Sequence, residues 1–262
     1  MGVSRSQVGA LTALFASLLV FGADRASAQT VDELVAKHIE ARGGYEKLKA
    51  INTMKITRTV ATPFTNVKVV TFKKRPNLIR FEQTPKGQTT PVLRGINEAG
   101  AWDIAQGKVV MRPETIAIEG RETDGDFDGL LVDWKAKGHT VTFEGKGKVG
   151  LNDAYKLKVT TKGGTIREVY LDANTFLEAQ IVGRVRMPQR DPRTKEYRFN
   201  DTTFTFSDYR DVSGVKFPFA IDEERTGGGI TQSLAYFTEH FEVNVPMEDG
   251  LFAAPAQPPA AK

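Results

Sequence analysis

Three groups of residues in this chain could do chemistry by their type and spacing. Asp124-Gly125-Asp126-Phe127-Asp128-Gly129 sets carboxylates on alternate residues ahead of a glycine, the front half of a loop that converges on a hard cation. The twelfth position of such a loop should be a bidentate Glu, but Lys135 stands there and would oppose the metal. The run therefore reads as a loop and helix N-cap, where negative charge is favourable. The histidines His38, His139 and His240 share no ligand motif, and there is no cysteine for a thiolate, a disulfide or a metal site. G-x-S-x-G, H-E-x-x-H, phosphate-cradling glycine loops and dinucleotide fingerprints are missing as well. The expectation is a protein that is not an enzyme and holds no cofactor or metal.

The third group is basic. Lys73, Lys74 and Arg75 precede Pro76-Asn77, with apolar runs Val67–Phe72 before and Leu78–Phe81 after. Proline has no ladder donor and pushes Arg75 towards extended geometry, so Pro76-Asn77 reads as a hairpin turn with cations at its mouth. The positive charges lack the aromatic interleaving of a nucleic-acid site, so no nucleic-acid partner is expected. The formal charge of +4 suits transient contact with an anionic membrane surface.

The elements that must position these residues follow from periodicity. Thr30-Val31-Asp32-Glu33 is a capping box, and Val31, Leu34, Val35, His38 and Ile39 share one helical face up to Gly43-Gly44. His38 on that face reads as a packed side chain. From Thr53 the period falls to two, as in Met54/Ile56/Val60, Tyr155/Leu157/Val159, Leu177 to Val185 and Leu234/Tyr236/Thr238. Turn signals separate the runs at Lys86-Gly87, Glu98-Ala99-Gly100, Gly145-Lys146-Gly147, Lys162-Gly163-Gly164 and Gly227-Gly228-Gly229. Roughly ten to twelve short strands of this kind predict one strongly curved antiparallel sheet or a barrel. Asp126, Phe127, Leu130, Leu131, Trp134 and Gly138 fit an inserted amphipathic helix.

At its start, Arg5, the apolar run Val8–Gly22 and Ala26-Ser27-Ala28 have the form of an export signal cleaved after Ala28. The expected organisation is a signal peptide over residues 1–28, a binding domain over 29–252 and a disordered Pro/Ala-rich tail over 253–262.

Lys74-Arg75-Pro76-Asn77-Leu78, followed by Gly100-Ala101-Trp102, resembles the LolA-type lipoprotein-sorting superfamily of periplasmic carriers. Weaker likeness runs through Gly163–Ile181, Tyr209–Pro218 and Met247–Phe252, while Met187–Asn200 is an extra stretch relative to compact carriers. The resemblance implies a mainly β fold with an α lid: a single curved sheet forming an unclosed half-barrel, covered by the two amphipathic helices. It implies a periplasmic carrier that holds the acyl chains of a lipid or lipoprotein in an apolar cavity. An inner-membrane exporter and an outer-membrane acceptor would be its partners. Expected cavity residues are Phe72, Leu78, Ile79, Phe81, Trp102, Met111, Phe127, Leu131 and Trp134, with Ile79 where the carriers have Phe. In the family the arginine matching Arg75 binds lid carbonyls and keeps the empty state closed. Arg75→Leu is then expected to change lipid loading at similar thermal stability. An envelope lipid or stress sensor of the same fold, or an all-β hydrolase, are the alternative readings.

Overall fold

A computed structural model describes residues 30–256 apart from 106. The expected export signal and residues 257–262 of the expected tail lie outside the described residues.

Among the described residues the alternating runs form thirteen antiparallel strands in one sheet. In chain order they are β1 (Thr53–Ala61), β2 (Asn66–Lys74), β3 (Leu78–Pro85), β4 (Val92–Asn97), β5 (Gly100–Ala105), β6 (Lys108–Met111), β7 (Thr140–Val149), β8 (Asn152–Thr160), β9 (Ile166–Asp172), β10 (Glu178–Arg190), β11 (Tyr197–Val212), β12 (Val215–Gly227) and β13 (Ile230–Val243). The spatial order is β6-β5-β4-β3-β2-β1-β13-β12-β11-β10-β9-β8-β7. The first six strands meander outward as one wing, and β13 back to β7 form the other. β6 and β7 end the sheet without pairing, so it is an unclosed half-barrel. The extra stretch at 187–200 lengthens the β10–β11 hairpin.

Among the described residues three α-helices lie on one face. α1 (Val31–Arg42) begins at the expected capping box, where Glu33 N–H donates to Thr30 Oγ1 at 3.2 Å and Thr30 N–H to Glu33 Oε2 at 3.0 Å. It ends at Gly43, φ +123°, where a Cβ would fall 2.1 Å from the Gly214 carbonyl oxygen. Only glycine lets the helix end approach the β11–β12 turn this closely. α2 (Tyr45–Ala50) follows at once. α3 (Glu114–Glu122) comes after β6.

Two expectations fail locally. Residues 126–138 form a succession of turns rather than a helix. Gly129 sits at φ +91° and Asp133 at φ +55°, conformations that interrupt a right-handed helix. The Asp126 and Asp128 carboxylates bind cations instead of capping a helix, as described below. Gly145-Lys146-Gly147 is no turn: Gly145, at φ +106°, is a bulge inside β7 where the register shifts against β8.

Three buried clusters fill the space between cover and sheet. Leu34 and Val35 of α1 meet Leu130, Leu131 and Val141, Leu157, Val159, Val169 and Leu171 of β7–β9. Leu48 and Ile51 meet Phe127 and Val132, with Met54, Ile56, Val215 and Phe217 from the strands. Ala117 of α3 packs on Ile79, Ile96 and Ala101. His38 is a packed residue, 1% exposed, with Nδ1–H donating to the Phe176 carbonyl at 3.0 Å.

Candidate functional site

The β2–β3 hairpin carries its three cations to three different partners. Successive strand residues point to opposite faces. Lys73 faces the cover and donates to the Asp126 carbonyl at 2.9 Å, while Lys74 faces outward to the Met247 carbonyl at 2.8 Å and the Asp249 carboxylate at 2.6 Å. Arg75 then clamps the cover to the hairpin. Its Nε donates to Ile51 O at 2.7 Å and its Nη2 to Leu48 O at 3.0 Å, two carbonyls at the end of α2, the second shared with the Ile51 N–H. Its Nη1 and Nη2 grip both oxygens of Asp128 at 2.7 and 2.6 Å, and its guanidinium lies 4.4 Å from the Phe127 ring centroid. Lys49 adds a bond to Asp128 at 2.8 Å, and Arg42 donates to the Asp128 carbonyl at 2.7 Å.

Arg75 thus holds two lid carbonyls, but its strongest contact is a forked ion pair with an acid that is 5% exposed. Removing the arginine would strand that acid, so similar thermal stability after Arg75→Leu is not to be expected. Asp128 was visible in the sequence only as one acid of a D-x-D-x-D-G run. Nothing local indicated that its partner lay on the hairpin.

Burial opposes ionisation of Asp128, yet the hydrogen bonds from Arg75 and Lys49 outweigh it and hold the carboxyl at about 2, against 3.8 for a free aspartate. A depressed folded value stabilises the closed form above pH 3.8, and that stability is lost as the pH falls towards 2. The difference corresponds to about 2 kcal/mol. Hydrogen exchange of the α2 and 127–138 amides, corrected for intrinsic rates, is expected to lose protection across this window before the strands do. Protection that holds through the window would show that the clamp does not depend on this charge. Lys73 behaves differently: burial pulls its ammonium down to about 8, and Asp126 and Asp124 only partly compensate.

Strand register divides the expected cavity residues. Met54, Lys73, Ile79, Ile96 and Ala101 face one another across β1 to β5, on the covered side. Phe72, Arg80, Gly95, Trp102 and Met111 are the matching row on the opposite face, with Leu78 beside Lys74. A cavity shared by Ile79 and Phe81 with Phe72, Leu78, Trp102 and Met111 is therefore not what the sheet builds. Trp102, 1% exposed, lies over Gly95, where a Cβ would come within 2.7 Å of its ring. Its Nε1–H donates to the Phe252 carbonyl at 3.1 Å, in the short 3-10 turn Asp249–Phe252. Met111 is about half exposed. Phe127 and Leu131 belong to the cover and Trp134 packs beside them, but they fill space rather than line it.

The part of the cover that sequence reading missed is α3. It spans the open side of the half-barrel. Ala117 rests on β3–β5, while Glu119 pairs with Arg167 of β9 at 3.2 Å and with Arg186 of β10 at 3.5 Å. Glu122 accepts from Thr161 Oγ1 at 2.6 Å and Gly163 N–H at 2.9 Å in the β8–β9 turn. Its signals were an Arg112-Pro113-Glu114 start and a short run containing Ala117 and Gly120, weak against the β-branched Thr115, Ile116 and Ile118.

A cavity of about 600 Å³ lies between α3, the Pro76-Asn77 turn, the 126–139 segment and the β8–β9 turn. Most of its lining residues are polar or charged (Asn77, Arg121, Glu122, Asp126, Lys137, His139 and Lys162), but the surface they and Pro76, Ile118 and Gly163 turn to the space is largely carbon. The covered face also buries polar groups farther along, where Glu223 (2% exposed) binds Arg225 and Tyr236. The apolar surface under the cover is occupied by the cover's own side chains. Among the described residues no group of His, Asp and Glu is arranged to hold a metal ion, and no helix is long and apolar enough to cross a membrane.

No protein-family model and no curated protein sequence matches the chain. Solved structures do match. A LolA superfamily protein from Nitrosomonas europaea is similar over 87% of this chain and 99% of its own, at TM-score 0.55 and 11% identity. A domain described as an outer membrane lipoprotein-sorting protein, from Vibrio parahaemolyticus, covers 85% of this chain and 95% of its own at TM-score 0.53 and 11% identity. A DUF1329 family protein from Desulfovibrio piger covers 86% and 98% at TM-score 0.55 and 12% identity. At such identities the likeness is one of fold: this chain has the LolA-like unclosed half-barrel.

Proposed function

We propose, from the LolA-like fold, that this chain is an exported carrier that takes the acyl chains of a lipid or lipoprotein between its sheet and its cover. It would load at the inner membrane and unload to an outer-membrane acceptor. The observation that carries this reading is the Arg75 clamp. One guanidinium joins the hairpin to both α2 and the 127–138 segment, so releasing it frees the layer that occupies the apolar face.

The energetics favour exchange over insertion into a ready-made hole. An acyl chain of about sixteen carbons costs about 13 kcal/mol to draw from a bilayer, at roughly 0.8 kcal/mol per CH₂. The cavity beside α3, with Pro76 and Ile118 its only wholly apolar side chains and charged groups around them, is too small an apolar surface to repay that. Displacing Phe127, Leu130, Leu131 and Val132 from the strands offers the ligand the apolar surface that these side chains now cover. The clamp supplies the opposing bias, so binding free energy is needed to open it.

The test is native mass spectrometry of full-length protein expressed with its leader and collected from the periplasm. A retained lipid mass is expected, and a delipidated sample is expected to regain it from vesicles. Protein that emerges bare and takes up nothing from vesicles would overturn the carrier reading.

A further inference from the structure

The cavity beside α3 has a lopsided hydrogen-bond inventory. Its two carboxylates are satisfied: Asp126 receives Lys137 Nζ on both oxygens at 2.6 and 2.8 Å, and Glu122 receives Thr161 Oγ1 and Gly163 N–H. Arg121 is committed to Glu114. The donors are not all satisfied. His139, 7% exposed, accepts the Lys162 backbone N–H on Nδ1 at 3.2 Å. A neutral ring that accepts at Nδ1 carries its proton on Nε2, and Nε2 is buried with no partner among the described residues. Burial lowers the pKa of this ring, with Asp126 and Glu122 opposing and Lys137 assisting, which keeps it neutral at pH 7. The Asn77 amide and the Lys162 ammonium line the same space, and neither side chain has a hydrogen-bond or ion-pair partner among the described residues.

A buried donor without a partner is destabilising, and that cost is recovered when a ligand supplies the acceptor. The wall charges are Arg121, Lys137 and Lys162 against Glu122 and Asp126, a single net positive charge. The complement is a group rich in acceptors, negative and without protons to give.

We propose that this cavity is a subsite for a phosphate-type oxyanion, held by His139 Nε2–H, Lys162 Nζ and the Asn77 amide. The oxyanion is either the headgroup phosphate of the carried amphiphile, in which case the assignment rests on the carrier reading, or free phosphate. The fold supports the placement. Gly163 lacks a Cβ that would strike Glu122 at 2.6 Å and Ile118 at 2.7 Å, so the β8–β9 turn is drawn against α3 and Lys162 is brought to the rim.

The probes are inorganic phosphate, dihexanoyl phosphatidic acid and uncharged dihexanoyl glycerol, titrated calorimetrically into full-length mature protein. Both phosphate probes are expected to bind, and Lys162→Ala and His139→Asn are each expected to weaken them about tenfold or more. Asparagine keeps an acceptor for the Lys162 N–H but has no group at the Nε2 position, and Lys162 is exposed, so both variants retain the fold; thermal melts check this. Failure of both phosphate probes to bind, or equal binding by parent and variants, overturns the subsite. Lipid retention without a phosphate response overturns the subsite and leaves the carrier standing. Phosphate binding by protein that retains no lipid overturns the carrier and assigns the subsite to free phosphate.

Discussion

Asp128→Leu and Arg75→Leu are each expected to cost about 3–5 kcal/mol of stability, the range for breaking one partner out of a buried ion pair. The double variant is expected to cost less than the two singles together. Each single change leaves a charge behind: Arg75 without its carboxylate, or a 5% exposed Asp128 held by Lys49 alone. The double change removes both charges from the same site, and replacing a whole buried pair by apolar groups is often close to neutral. Lys49 keeps Asp133 at 3.0 Å in either case. Denaturant unfolding of the four proteins supplies the cycle. The same four proteins should take up lipid from vesicles faster in the order of clamp loss, because less binding free energy is spent on opening. Additive costs across the cycle would mean that Arg75 and Asp128 stabilise the fold independently, and uptake rates that ignore the clamp would separate it from loading altogether.

Trp102→Ala should lower stability by about 3–5 kcal/mol, as for other buried aromatics cut to alanine. Its ring fills the outer face over Gly95, and its Nε1–H anchors the Phe252 carbonyl. The folded fraction should load lipid as the parent does, since Trp102 faces away from the cover. Trp102→Phe separates the contributions: it keeps most of the packing, and the Phe252 carbonyl retains its bond from Asn97 Nδ2 at 3.0 Å, so the loss should fall to about 1 kcal/mol. Loss of loading at unchanged stability would return Trp102 to the ligand side of the sheet.

Much of the chain's organisation was local and therefore readable without coordinates. A capping box is complete within four residues, strand alternation within five or six, and the Pro76-Asn77 turn within the dipeptide. Each depends on neighbours in sequence, so composition and spacing determine it. The resemblance carried by Lys74–Leu78 likewise pointed to the half-barrel that the strands form.

Pairing over distance was beyond that reach. Arg75 and Asp128 are 53 residues apart, and nothing in either stretch marks the other as its partner. Whether Trp102 shares a face with Ile79 depends on the parity of two intervening registers, and a slip of one residue reverses the answer. The 126–138 run has helical spacing, but Asp126 and Asp128 bind Lys137, Arg75 and Lys49, and those tertiary ion pairs outweigh the propensity for a helix. α3 is the converse case, a weak helix former held because Glu119 and Glu122 meet Arg167, Arg186 and the β8–β9 turn across the gap. Sequence determined where the chain runs straight, where it turns and which stripe is apolar. Tertiary structure alone decided what the stripes cover, because burial and charge pairing are settled by whichever distant segment arrives there.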